Sequence, residues 1–252
     1  MSKTMLLTGG TGLFGKILVN YFVTNGWTVV TTSRDQSRLD QLITSCDGHS
    51  GSIIGVVADF SQKGSVDILL EHLRFKDVVI THLVNNARST SSLAVQSDGT
   101  TCPSVFLREF EMDVVVPYEI TMALSKSSEH SLCCVVNIGS MYGEVAPNPA
   151  LYDDGLDKSP IQYGVSKSAL HHLTRELAVR LATRDIRVNC VAFGGVEGRV
   201  DQAFKDRYGK LVPSGKMLKS TDIIGPIEFL LSTGSSSVNG HVLVADGGWS
   251  IW

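Results

Sequence analysis

Short β-rich apolar runs alternate with helix-patterned segments along the whole chain, and this alternation leaves few folds open. The runs lie near residues 4–8, 27–33, 52–59, 78–85, 132–139, 186–193 and 241–245, and the helical stretches near 12–25, 36–46, 62–74, 104–128, 161–184, 199–209 and 221–232. A strand with one wet face alternates apolar and polar residues. LCCVVNI (132–138) is apolar at almost every position and is expected to be buried on both faces. Such strands joined by helices form a parallel sheet, because parallel neighbours need a crossover long enough to hold a helix. The expected fold class is α/β, a doubly wound parallel sheet of about seven strands with helices on both faces. No Pro- or Gly-rich linker divides the sequence, so 1–252 is expected to be a single domain, and 43% hydrophobic residues supply a large core. In the helix after Pro160, Val165, Ala169, Leu173, Leu177 and Leu181 recur at helical spacing and are expected to be its buried stripe.

The first strand runs directly into TGGTGLFG (8–15). Gly9 and Gly12 permit a tight turn and close backbone approach to a pyrophosphate, and Gly15 lets the next helix touch the strand. That helix turns its free N–H groups and positive dipole end toward the phosphates. Strand, glycine turn and helix in this order are the context of a Rossmann-type dinucleotide site, with Thr8, Gly9, Thr11, Gly12, Leu13 and Phe14 around the cofactor. The second strand ends at Thr32 and Ser33, before Arg34. An NAD site places Asp or Glu near this point to accept hydrogen bonds from the ribose 2′-hydroxyl. A hydroxyl and a guanidinium suit a 2′-phosphate instead. NADP(H) is therefore expected ahead of NAD(H), with Ser33 and Arg34 at the phosphate and an exposed Asp35–Arg38 pair close by.

Tyr163 and Lys167 stand four residues apart in YGVSK. On a helix, positions i and i+4 project from one face, so the phenol and the ammonium converge. A free tyrosine has a pKa of about 10. A neighbouring positive charge favours the phenolate and lowers that value. The pair is thereby suited to move a proton in carbonyl reduction or alcohol oxidation.

In order along the chain, the glycine turn, Asp59 at the end of the third strand, NNA (85–87), Ser140 and YGVSK resemble the short-chain dehydrogenase/reductases. The resemblance spans essentially the full length and extends to IRVNCVAFGG (186–195) and VADGGW (244–249). It implies that Asp59, with Phe60 beside it, meets the adenine, that Asn85, Asn86 and Ala87 line the adenine ribose, and that Phe193, Gly194 and Val196 belong to the cofactor site, Phe193 beside the nicotinamide. It also implies that Ser140 holds the substrate carbonyl or hydroxyl, that Tyr163 transfers the proton, and that Lys167 grips the nicotinamide ribose.

Three positions depart from the family pattern. Asp113, in DVVVP (113–117), stands where the family has an asparagine that helps hold a water in a proton relay; a carboxylate there adds negative charge near Lys167 and can redirect the relay. Arg88 replaces the glycine after NNA, and Phe193 replaces a proline. All three leave Ser140, Tyr163 and Lys167 intact. They also keep open a second class of function, a non-catalytic, dinucleotide-responsive binding protein.

The glycine spacing and SMYG (140–143) resemble the sugar-nucleotide branch of the superfamily, whereas the terminal DGGW resembles its short branch. Between Ser140 and Tyr163 lies an inserted polar stretch, APNPALYDDGLDKSP, with Asp153, Asp154, Asp157 and Lys158. Loops of this kind over a rigid sheet commonly carry specificity, so 141–162 and 194–220 are expected to select the substrate. Hybrids of this sort resemble family members linked to bacterial surface sugars and flagellin glycans. A carbohydrate or sugar-derived substrate is expected, with a 3-oxoacyl or small-ketone reductase as the alternative.

A net charge of −3 argues against a broad nucleic-acid surface. No apolar run approaches the ~20 residues that span a bilayer, and the N-terminus lacks a secretory pattern. A cytoplasmic protein without nucleic-acid or membrane partners is expected. Cys46, Cys102, Cys133, Cys134 and Cys190 show no metal-ligand spacing and read as small buried hydrophobes. His171 and His172 are adjacent on a helix, so their side chains diverge and cannot chelate one metal together. Arg199, Lys205 and Arg207 are expected on a solvated helix face, with an acidic substrate as the other reading. Trp249 and Trp252 are expected at a subunit boundary, since the resemblance implies a homodimer or homotetramer.

Overall fold

The computed structural model describes residues 3–153, 155–198 and 200–251. Among the described residues seven parallel strands form one sheet: β1 (Thr4–Leu7), β2 (Thr28–Ser33), β3 (Ser52–Val57), β4 (His82–Asn85), β5 (Cys134–Ser140), β6 (Arg187–Phe193) and β7 (Val242–Ala245), in the spatial order β3-β2-β1-β4-β5-β6-β7. Helices α1 (Leu13–Thr24), α2 (Gln36–Ser45), α3 (Ser65–Phe75), α4 (Pro103–Phe110), α5 (Val116–Lys126), α6 (Ile161–Leu181), α7 (Gln202–Leu211) and α8 (Ile224–Leu231) connect or cover them. The doubly wound sheet expected from the apolar runs is present.

Successive side chains of a strand point to opposite faces, and both faces are dry here. Leu6, Val30, Val135 and Val188 join Leu69 and Leu73 of α3, Ile120 of α5 and Leu177 of α6 in one core. Met5, Leu7, Val29, Val136 and Val191 join Leu18 and Phe22 of α1 and Ile227 and Leu230 of α8 in the other. Each such side chain contributes about 1.5–3 kcal/mol when fully buried. The strand order reverses between β1 and β4, and a crevice opens beyond the carboxyl ends of the strands at such a point.

Several elements differ from the sequence expectation. β4 begins at His82 rather than at 78. The single helix expected over 104–128 is α4 and α5 joined by a π turn at Glu111–Val115, in which the Val116 N–H donates to the Glu111 carbonyl. Pro117 has no N–H to give the Asp113 carbonyl, so the α-helical ladder is already broken there, and π bulges are a common way to absorb such a break. The expected buried stripe of α6 holds at its C-terminal end, where Leu177 and Leu181 are buried, and fails in its first turns. Val165 is 44% exposed, whereas Gln162, Ser166, Lys167, Leu170, His171 and Thr174 are buried. The sheet-facing side of α6 is polar because its groups bond internally: the Gln162 Nε2 donates to the Ser92 carbonyl, and the Thr174 hydroxyl receives the Asn137 Nδ2 and donates to the Leu170 carbonyl.

Trp249 is not left for a subunit boundary. It is buried in its own chain, stacked on Tyr208 with ring centres 4.6 Å apart; Trp252 lies outside the described residues, as do Asp154 and Arg199. The five thiols are free, but Cys133 is exposed and Cys102 half-buried, so only Cys46, Cys134 and Cys190 behave as core hydrophobes. Among the described residues no helix is long and apolar enough to cross a membrane.

Candidate active site

The turn after β1 is built for close approach. Gly9 has φ +72°, and a Cβ there would lie 2.9 Å from the Ala87 Cα; a Cβ on Gly15 would run into the Gly9 carbonyl oxygen. The Thr8 Oγ1 accepts the N–H groups of Asn86 (3.0 Å) and Ala87 (2.9 Å), while the Asn86 Nδ2 donates to the carbonyls of Thr8 (2.8 Å) and Gly9 (3.2 Å). Asn85 turns inward and donates to the Asn137 Oδ1 at 2.8 Å. These three side chains stitch the ends of β1, β4 and β5 together rather than reaching into open space. No side chain caps α1 at Gly12, so its first N–H groups face the crevice with the positive end of the helix dipole.

A cavity of about 660 Å³ runs from this turn to α6. Of the residues singled out in the sequence, Gly9, Thr11, Gly12, Leu13, Phe14, Ser33, Arg34, Phe60, Asn85, Asn86, Ala87, Asp113, Ser140, Tyr163, Lys167, Phe193, Gly194 and Val196 all line it. Thr8 and Asp59 stand just outside the lining. A glycine cradle, an uncapped helix start and a long crevice at the reversal of strand order fit a dinucleotide.

At the far end from α6, the Ser33 Oγ lies 2.9 Å from the Thr11 Oγ1 and beside the Asp35 backbone. The Asp35 carboxylate caps α2, accepting the Arg38 N–H at 3.0 Å, and sits 3.6 Å from the Arg38 Nε. Arg34 is exposed and borders the cavity. Asp59 accepts both the N–H and the hydroxyl of Ser61. Burial works against its charge, yet these bonds and the Arg34 guanidinium outweigh burial and hold its carboxyl below the usual range.

At the other end, β5 delivers Ser140 and α6 delivers Tyr163 and Lys167 to one wall. The Lys167 Nζ is 3.0 Å from the Asp113 Oδ1 and donates to the Ile138 carbonyl at 3.1 Å; the Ser166 hydroxyl donates to the Asp113 Oδ2 at 2.8 Å. Burial disfavours the ammonium, but the Asp113 carboxylate prevails and raises the Lys167 pKa. The Arg88 guanidinium lies over the Tyr163 ring, 4.4 Å from its centre, and the Lys167 Nζ is 5.8 Å from it. Behind Asp113, Glu109 is fully buried and hydrogen-bonded to the Ser92 hydroxyl. Burial first, and the Asp113 charge second, push its pKa up. Glu109, Ser92 and Ser166 escaped the sequence analysis. The available signal was an acid one helical turn ahead of Asp113, which the π turn between them obscures.

The inserted stretch is not a free loop. Leu151 is buried with Met141, Tyr208, Val212, Met217 and Trp249 in a small separate core, and the hydroxyls of Tyr142 and Tyr152 meet at 3.0 Å. Arg207 is taken up by Asp153 (2.9 Å) and the Leu151 carbonyl (2.9 Å), and Lys205 lies 3.6 Å from Glu197. His171 is buried while His172 is exposed, as their divergence requires; the His171 Nδ1 is 2.8 Å from the Glu144 Oε1, close but poorly aligned for a hydrogen bond. Burial lowers the His171 pKa despite that carboxylate.

A family model for short chain dehydrogenases matches residues 3–209. The chain is 26% identical to the post-translational flagellin modification protein A of Campylobacter coli, over 99% of each chain. It is 28% identical to the 3-oxoacyl-acyl-carrier-protein reductase of Thermotoga maritima, over 98% of this chain and 97% of that one. A solved short chain dehydrogenase from Leptospira borgpetersenii with bound NAD+ shares the fold, with a TM-score of 0.84 over 99% of this chain and 93% of that one at 24% identity.

Proposed function

The chain belongs to the short chain dehydrogenase family and is an oxidoreductase acting between CH–OH and C=O, and from that premise we propose that it uses NADP(H) on a carbohydrate or sugar-derived substrate. The non-catalytic alternative is set aside with family membership. The convergence of Ser140, Tyr163 and Lys167 on one cavity with the glycine turn carries the proposal.

The residues lining the cavity would hold a nicotinamide dinucleotide, which when bound would supply or receive the hydride. Tyr163 gives the proton to the carbonyl oxygen in reduction, or takes it from the hydroxyl in oxidation. Ser140 donates a hydrogen bond to that same oxygen, where negative charge develops. An ammonium has three donors, and two of those of Lys167 are held by Asp113 and the Ile138 carbonyl. The third is free to hold a ribose hydroxyl and steady the ring beside Tyr163. Asp113 fixes Lys167 directly, in the place where the family pattern has a water-holding asparagine. Phe193, packed edge-on against Phe14 at 5.7 Å, shields the reacting face from water.

The preference for NADP(H) rests on the far end of the cavity. Asp35 is occupied by the α2 cap and Arg38, and the Ser33 hydroxyl donates to the Asp35 carbonyl, whereas the exposed Arg34 offers its donors to a 2′-phosphate, with Ser33 beside it able to turn toward one. The sugar assignment draws on the Tyr142–Tyr152 hydroxyl pair over the substrate end and on the flagellin modification relative. A 3-oxoacyl or small-ketone substrate is the second reading, favoured by the reductase relative. Exposed Leu107, Tyr118, Ile161, Val165 and Val179 on α4, α5 and α6 suit a homodimer or homotetramer. A cytoplasmic enzyme of one domain completes the proposal. Oxidation of NADPH followed against matched panels of keto-sugars and acetoacetyl thioesters tests the substrate. Turnover of thioesters alone would exchange the two readings, and activity with NADH equal to that with NADPH would remove the cofactor assignment.

A further inference from the structure

We infer that Arg88 is a specificity-determining residue that holds an anionic group of the substrate, a carboxylate or phosphate borne close to the reacting carbon. The inference rests on the proposed function and narrows it to acidic oxo or hydroxy compounds, such as sugar acids.

Arg88 lines the cavity, and its guanidinium lies 4.4 Å from the centre of the Tyr163 ring. An anion held by that guanidinium lies within a few bonds of the oxygen that exchanges a proton with Tyr163. The charge inventory at this end points the same way. Lys167 is matched by Asp113, whose other oxygen takes the Ser166 hydroxyl. Glu109, the other acid near Arg88, is fully buried and accepts the Ser92 hydroxyl, with no hydrogen bond or ion pair to the guanidinium. Among the described residues Arg88 makes no hydrogen bond and has no carboxylate within ion-pair distance; beside its ring contact it feels Glu109 and Lys167 only at longer range. Arg88 therefore brings to the cavity wall a guanidinium whose planar donors are unpaired, the arrangement that recognises a carboxylate or phosphate through paired hydrogen bonds. A neutral ketone leaves those donors unanswered when it displaces water.

The test uses the full chain with NADPH bound and measures, by calorimetry, the affinity for oxamate and for oxamide. Oxamate is an unreactive carboxylate shaped like a 2-oxo acid, and oxamide is its uncharged counterpart. The wild type is expected to bind oxamate at least about tenfold more tightly, the range of a hydrogen bond to a charged group. Arg88→Gln removes that ratio and changes NADPH affinity by less than about twofold; Arg88→Lys retains part of it. Equal binding of the two probes by the wild type, or an undiminished ratio in Arg88→Gln, overturns the inference. A variant that loses NADPH affinity but keeps the oxamate preference overturns it too, and assigns the guanidinium to the dinucleotide phosphates. Failure of the underlying function has a different signature, a wild-type protein that binds no NADPH, and it takes the inference down with it.

Discussion

The Lys167 Nζ and the Asp113 Oδ1 lie 3.0 Å apart, with only 7% and 1% of their side chains exposed. Removing one partner of a buried pair leaves the other charge uncompensated, at a cost of about 3–5 kcal/mol. Asp113→Ala is expected to lower the denaturant midpoint accordingly. Asp113→Asn keeps one acceptor oxygen for Lys167, while its amide can donate to the Ser166 hydroxyl, and is expected to cost less. Urea titrations of the three proteins check this. Indistinguishable midpoints for Asp113→Ala and the wild type would show that the contact contributes nothing to stability.

Glu109 predicts a pH dependence with a definite sign. Its folded pKa is raised by burial and by Asp113, above an unfolded value of about 4.3. The folded state then binds more protons than the unfolded state between the two values, so its contribution is complete below the unfolded value and is lost as pH rises through the folded one. Glu109→Gln, which cannot titrate, is expected to lack this decline. Unfolding free energies of both proteins across a pH series provide the comparison, and parallel curves would show that Glu109 titrates alike in both states.

The family chemistry was legible because it is written in short local strings: TGGTGLFG, NNA and YGVSK each lie at the carboxyl end of a strand or on one helix face. Periodicity found the sheet for the same reason. It failed on the first turns of α6, where Gln162, Ser166, Lys167 and Thr174 are buried yet polar. A hydrophobicity pattern cannot see groups whose partners are distant in sequence, such as the Ser92 carbonyl for Gln162 or Asn137 for Thr174. The departures at Asp113 and Arg88 were visible as substitutions, but their meaning was not. That Asp113 neutralises Lys167 while Arg88 stays unmatched over Tyr163 depends on three segments meeting in space.

On the proposed mechanism Tyr163 moves the proton, and its hydroxyl is the only part that Tyr163→Phe removes. A positioned acid or base contributes roughly 10²–10⁴-fold, so kcat is expected to fall by at least that lower bound while NADPH affinity holds. The ring that Arg88 covers is retained, which separates proton transfer from packing. Steady-state rates with direct NADPH titration measure both quantities. Turnover unchanged in the variant would move the proton donor elsewhere.

Arg34 lies at the opposite end of the cavity, and on the proposed reading it bears on the cofactor alone. Its guanidinium borders the crevice beside Ser33 and contributes to holding Asp59 ionised. A charge-assisted bond to a 2′-phosphate is worth about 1.5–3 kcal/mol, so Arg34→Ala is expected to lower the ratio of NADPH to NADH affinity by roughly tenfold or more. Because the side chain is exposed, salt should erode the wild-type preference and leave the variant's ratio nearly flat. NADH affinity itself should hardly change, since no 2′-phosphate is lost. Fluorescence titrations of both dinucleotides at low and high ionic strength decide the matter. A variant that keeps the full wild-type ratio would remove Arg34 from the recognition of a 2′-phosphate.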